Sequence, residues 1–267
     1  MASAALNIKP SAAVRAPSAL LAFTELPRAI AEWGQLALSV PALMASAPRG
    51  DGHPVLVLPG FMTTDTSTRV LRRFLKALGY DAHSWNLGRN LGPRAIGQQG
   101  EHLVARLREI HEATGQKVSL VGWSLGGVMA RLLARRAPDA VRQVVTLGSP
   151  FAGSPKASNV WRLYELMCGS SIDDHQHRRH LAEVAAPPAV PTSAIYSKGD
   201  GVVAWQNCRE KETELAENIE VHGSHCGLGV NPAVLYAVAD RLARKEGDRR
   251  RFDGKRFGAW MYPAGDA

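Results

Sequence analysis

From residue 54 onward the chain alternates short, almost wholly apolar runs with longer segments in which apolar residues return every three or four positions. Pro54-Val55-Leu56-Val57-Leu58, Val118 to Gly122, Val141 to Leu147 and Thr192 to Ser197 are of the first kind and predict strands. Tyr80 to Leu87 and Asn218 to His222 extend the series. Arg69 to Leu78, Gln99 to His111, Gly127 to Arg136 and Pro232 to Arg244 have helical spacing. Strands with little polar alternation, separated by helices, predict an α/β fold with a mainly parallel sheet covered on both faces.

Three segments fall outside this alternation. Residues 1–50 are rich in Ala, Leu and Pro and read as amphipathic helix, broken at Pro27 and Pro41, that packs on the main domain of residues 51–245. A membrane-surface helix is the weaker reading there, for want of basic residues on a polar face. Between about residues 153 and 190 the alternation fails, while Trp161, Tyr164, Leu166 and Met167 sit among polar residues. The stretch is too long for a connection and too short for a domain, so it reads as an inserted lid. Residues 246–267 read as a basic, solvated tail.

Composition narrows the classes. A chain of 267 residues with 45% hydrophobic and 21% charged positions can bury one full-sized core. Its 32 Lys and Arg against 24 Asp and Glu give +8, but much of the excess lies between Arg241 and Arg256. Weak contact of that tail with an anionic or membrane surface is the lesser reading, and no aromatic-interleaved basic surface calls for nucleic acid. Three cysteines, Cys168, Cys208 and Cys226, cannot frame a small disulfide fold. Cys208 and Cys226 can pair, although free thiols are the default. With no clear signal peptide or membrane-spanning run, cytoplasmic residence is the default expectation.

The chemistry concentrates in Gly122-Trp123-Ser124-Leu125-Gly126, which lies between an apolar strand and a helix. This has the form of a sharp turn that presents a serine nucleophile, where flanking glycines let the turn close. A serine hydroxyl needs a base and a group to orient that base. Asp200 follows an apolar strand in Gly199-Asp200-Gly201, and His225 lies between the last strand and the last helix. Ser124, Asp200 and His225 thus occur in the order nucleophile, acid, base. His222 reads as a strand packing residue, Asp173 and Asp174 fall in the lid, and Asp65 fits a helix N-cap. The backbone N–H groups of Leu125 and Phe61 are the expected oxyanion donors, ahead of Met62.

These segments, with Val57-Leu58-Pro59-Gly60-Phe61 and Thr146-Leu147-Gly148-Ser149-Pro150, resemble the α/β-hydrolase fold and, within it, bacterial lipase-like hydrolases over about residues 50–245. The resemblance implies a cofactor-free ester hydrolase acting through an acyl-enzyme. Met62, Trp123, Trp161 and Tyr164 are candidates to line an apolar acyl pocket for a lipid or short acyl ester, with Ser197, Lys198 and Asn90 at its rim. An acyltransferase, thioesterase or perhydrolase would use the same triad, and a non-catalytic binding module is the rival of another class. His175, His177 and His180 have no carboxylate-rich or i, i+4 arrangement for a metal and read as a solvated or pH-sensitive part of the lid.

Overall fold

The computed structural model describes residues 14–154, 156–168 and 183–263. Two N-terminal helices, α1 (Ala19–Phe23) and α2 (Glu25–Ser46), precede an alternating series. It runs β1 (Pro54–Leu58), α3 (Arg69–Leu78), β2 (Asp81–Ser84), α4 (Pro93–Ile96), α5 (Glu101–Thr114), β3 (Val118–Trp123), α6 (Leu125–Arg136) and β4 (Val141–Leu147). After α7 (Trp161–Cys168) come β5 (Thr192–Tyr196), β6 (Ala216–Glu220) and α8 (Pro232–Leu242).

The strands form one parallel sheet in the order β2-β1-β3-β4-β5-β6. Both faces are buried, and the alternation along β1 divides its side chains between two cores. Val55 and Val57 join one core with α2, α3 and α8, whereas Leu56 and Leu58 join the other with α5 and α6. After β2 the chain returns across β1 to lay β3 on its other side. The connections therefore diverge at the β1/β3 pair, the place in such sheets beyond whose carboxyl strand ends ligands bind.

The boundaries differ from the sequence reading where local signals compete with packing. Helix α2 is not broken: Pro27 falls in its first turn, where the N–H has no intrahelical partner, and the helix continues through Pro41. Strand β2 is cut to four residues. His222 lies past β6 and is exposed, not packed. Asp65 caps no helix; its carboxylate accepts the backbone N–H groups of Trp85 and Asn86 at 3.0 and 3.2 Å and so fixes the loop after β2.

The solvated tail is also corrected. Phe252, Phe257, Met261 and Tyr262 pack against the core around α8, and the Tyr262 hydroxyl donates to the Ala233 carbonyl at 2.8 Å. Arg241 and Arg244, counted with that basic run, are buried and paired with Glu217. Aromatic residues spaced among the arginines carry the segment back onto the domain. No described helix is long and apolar enough to cross a membrane.

Candidate active site

The site assembles at the carboxyl end of the sheet because β1, β3, β4 and β5 all end there. Ser124 links β3 to α6 with φ 54° and ψ −123°, a conformation that side chains avoid. Its N–H donates to the Leu147 carbonyl at 2.8 Å, which anchors the turn to the end of β4. The two glycines are required by close approach. A Cβ on Gly122 would meet the backbone of Gly126 and Gly127, and one on Gly126 would meet the carbonyl of Leu58. β1 thus passes directly beneath the turn, and Gly60 lies so near that its Cβ would sit 3.4 Å from that of Ser124.

Asp200 and His225 are brought together from two loops. Asp200 Oδ1 accepts the N–H groups of Val202 and Val203, each at 2.8 Å, which fixes the carboxylate. Its Oδ2 meets His225 Nδ1 at 2.6 Å. Burial lowers the pKa of His225, but the charge and hydrogen bond of Asp200, with the charge of Glu25, reverse this and leave it raised. Two connections tie the pair to the serine turn. Trp123 Nε1 donates to the His225 carbonyl at 3.1 Å. Gly148, next to Leu147, is packed so closely that a Cβ there would lie 3.2 Å from both Asp200 Oδ2 and His225 Nδ1.

In the loop after β1, the Met62 N–H is engaged by the Asn90 carbonyl at 2.8 Å, and Met62 has φ 60°. Leu125 begins α6, so its N–H has no intrahelical acceptor. Tyr164 of α7 lies against Phe61 with ring centroids 5.3 Å apart, which places α7 beside this loop. Trp161 faces instead the cationic groups of Lys156 and Arg162. The start of the insertion is pinned to the loop that carries Asp200 by the Ser158–Val203 bridge and by Asn159 N–H to the Val202 carbonyl at 2.8 Å. Asp173, Asp174 and the three histidines of the insertion lie outside the described residues.

The three residues read as a rim are braces. Asn90 is buried and donates to the Pro59 carbonyl at 2.8 Å. Ser197 Oγ donates to the Gly223 carbonyl at 2.6 Å, joining the loops that carry Asp200 and His225. Lys198 pairs with Glu220 at 3.0 Å. Cys208 and Cys226 are free thiols, the first buried and the second exposed.

Two buried acids were not found from sequence. Glu25 and Glu32 of α2 point inward, and the second accepts the Ser224 N–H at 2.7 Å. Burial raises the pKa of Glu32 despite hydrogen bonds from Ser224 and Asn231. The available signal was spacing: both glutamates lie on the buried stripe of Ala29, Leu36 and Leu43.

A second Ser-His-Asp series lies at the opposite end of the sheet. His53 Nε2 meets Ser119 Oγ at 2.8 Å, and His53 Nδ1 contacts Asp51. Both Ser119 and the His53 ring are closed to solvent at the start of β3 and just before β1, so no acyl group can reach the hydroxyl. This series is structural.

A family model described as alpha/beta hydrolase fold matches residues 54–167. A triacylglycerol lipase of Burkholderia plantarii is 30% identical over 154 residues, covering 55% of this chain and 43% of that protein. A triacylglycerol lipase of Pseudarthrobacter phenanthrenivorans is 32% identical over 115 residues, covering 40% and 36%. The chain therefore spans less than half the length of these relatives. Among solved structures, Aspergillus fumigatus lipase B superposes with a TM-score of 0.58 at 18% identity, over 83% of this chain and 62% of that one.

Proposed function

We propose that the chain, whose residues 54–167 match an alpha/beta hydrolase family model and which resembles triacylglycerol lipases, is a lipase/esterase-like α/β-hydrolase that cleaves carboxylic esters through Ser124, His225 and Asp200. The observation that carries this reading is the 2.6 Å Asp200–His225 contact at the same end of the sheet as a serine held at positive φ.

With the Nδ1 proton donated to Asp200, His225 keeps its Nε2 lone pair for the serine hydroxyl. Ser124 Oγ attacks the ester carbonyl as His225 takes its proton. The tetrahedral oxyanion then accepts from the N–H groups of Leu125 and Phe61, since that of Met62 is occupied by Asn90. His225 gives the proton to the departing alcohol, and the acyl group remains on Ser124. Water, deprotonated by the same imidazole, releases the acid.

The substrate class is a lipid or short acyl ester, in line with the triacylglycerol lipases that the sequence resembles. Gly60, which approaches Ser124, leads into Phe61 and Met62, and Tyr164 of α7 lies against Phe61, so these side chains would supply an apolar wall and α7 would belong to the lid. Trp123 serves this wall from behind by holding the base loop.

The test is labelling by a tagged fluorophosphonate together with turnover of p-nitrophenyl esters of increasing chain length. Wild-type protein is expected to label and turn over. Ser124→Ala is expected to lose label and at least about 10⁴-fold in kcat, as for removal of a triad nucleophile. Wild-type protein that neither labels nor cleaves any ester refutes the proposal, and a preference for alcohol or thiol acceptors over water reassigns it to acyl transfer.

A further inference from the structure

Both loops of the proposed triad are held by a carboxylate that the triad does not contain. Glu25 opens α2, 176 residues before Gly201 and 200 before His225. Its Oε1 accepts the Gly201 N–H at 2.7 Å and the His225 N–H at 3.1 Å, and its Oε2 accepts the Cys226 N–H at 2.9 Å. Gly201 follows Asp200 and Cys226 follows His225, so one buried side chain cross-links the backbones of acid and base. Burial favours the neutral form of Glu25, but the three N–H groups and the charge of His225 hold it ionised.

Arg28 completes the link. Its Nη2 donates to Glu25 Oε1 at 2.9 Å, and its Nη1 donates to the Gly199 carbonyl at 2.6 Å, so α2 grips the chain on both sides of Asp200. The approach leaves no room for a side chain at Gly201 or Gly227. A Cβ on Gly201 would overlap the Leu21 carbonyl, and one on Gly227 would overlap the Glu32 carboxylate.

We propose that Glu25, braced by Arg28, is a positioning residue of the esterase centre that sets the spacing of the Asp200 and His225 loops and places a fixed negative charge behind the base. The inference rests on the triad reading above. The charged and titratable groups around His225 are Asp200 from the loop after β5, Glu25 with Arg28 and Glu32 from α2, and Cys226 from its own loop. Among the carboxylates, Glu25 has no contact with the imidazole ring to be misread as the triad acid. It acts through the backbone N–H and through its field. A fixed anion there favours the imidazolium that forms as Ser124 loses its proton.

The test uses the full chain, p-nitrophenyl butyrate from pH 5 to 9, and fluorophosphonate labelling to count competent sites. Glu25→Gln retains size and a carbonyl acceptor but removes the charge. We expect kcat per labelled site to fall roughly tenfold with KM within about twofold, a loss of orientation and not of binding. The acid limb of kcat/KM is expected to move to lower pH, because His225 loses an anion that favours its protonated form. Leu36→Ala loosens the same helix without touching the carboxylate, so it is expected to lower the melting temperature and leave the limb in place.

A Glu25→Gln protein with wild-type kcat per site and an unmoved limb overturns the proposal, even if its melting temperature falls, because α2 is then only a strap. Where that variant fails to fold, Arg28→Gln reverses the sign: loss of the cation moves the limb upward, and an unmoved limb again overturns it. Wild-type protein that neither labels nor turns over overturns the triad reading itself, a failure distinct from these.

Discussion

Ser124 holds a backbone conformation that glycine tolerates and serine does not without strain. Strain of this kind costs about 1–3 kcal/mol and persists only where surroundings impose it. Here they do, through the Leu147 carbonyl above and the glycine contacts beneath. Ser124→Gly is therefore expected to raise stability by about 1 kcal/mol while abolishing turnover, read as a higher urea midpoint with unchanged slope. Gly126→Ala should do the reverse and lose at least about 1–3 kcal/mol, since its methyl group has only the β1 backbone to displace. The turn that answers these demands is contained in five consecutive residues, which is why Gly122, Ser124 and Gly126 could be read from sequence although β1 and β4 impose the strain. Asp65 could not, because the N–H groups it serves lie 20 and 21 residues away.

Elements obey hydrophobic patterning less strictly than single residues obey sterics. Helix α2 turns Glu25 and Glu32 inward and leaves Leu26, Ile30, Trp33 and Leu38 exposed. Its glutamates are drawn in by unpaired backbone N–H groups of the site loops, a demand created elsewhere in the fold. Helix α6 carries a comparable inversion. Arg131 is buried against Glu210, stacks on Phe151 with 3.8 Å from Cζ to the ring centroid, and donates to the Val184 and Ala186 carbonyls. Burial lowers the pKa of Arg131 and raises that of Glu210, each partly offset by the partner. Arg131→Met leaves the Glu210 carboxyl alone in an apolar site and is expected to cost about 3–5 kcal/mol. Arg131→Met with Glu210→Leu is expected to recover most of that loss in the same urea titration. A double variant as unstable as the single one would place the cost in the lost carbonyl contacts.

Across the whole molecule, the same three side-chain types meet at both ends of the sheet with different access to solvent. At the carboxyl end, strand termini and loops leave Ser124 partly open; at the amino end, Ser119 and His53 are sealed. His53 has its pKa lowered from the ordinary 6.5, chiefly by burial, against the pull of Asp51. Asp51 is lowered to about 2, its burial being outweighed by His53 and Arg142. The unfolded chain protonates this histidine near pH 6.5 while the folded one resists, so the unfolded state binds more protons and stability declines as the pH is lowered through that range. Asp51 adds a loss in the same direction below its ordinary 3.8. His225, with a raised pKa, works in the opposite sense. The measurement is thus a comparison: between pH 7.5 and 5.5, His53→Gln is expected to show a shallower fall in unfolding free energy than wild type. Equal slopes would remove His53 from the acid response.

Order along the chain was enough to place the sheet, the serine turn and the loops that carry Asp200 and His225, because each depends on spacing within a few residues or on succession of strands and helices. The spacing that makes a strand apolar, or a turn close, is written where the strand or turn is. What required the tertiary structure was every demand that one segment makes on another far from it. The folded C-terminal segment, the bracing roles of Asn90, Ser197 and Lys198, and the inward carboxylates of α2 are of this kind. Burial reverses the ordinary preference of a charge for water only when partners converge on it, and that convergence exists only after the chain has folded.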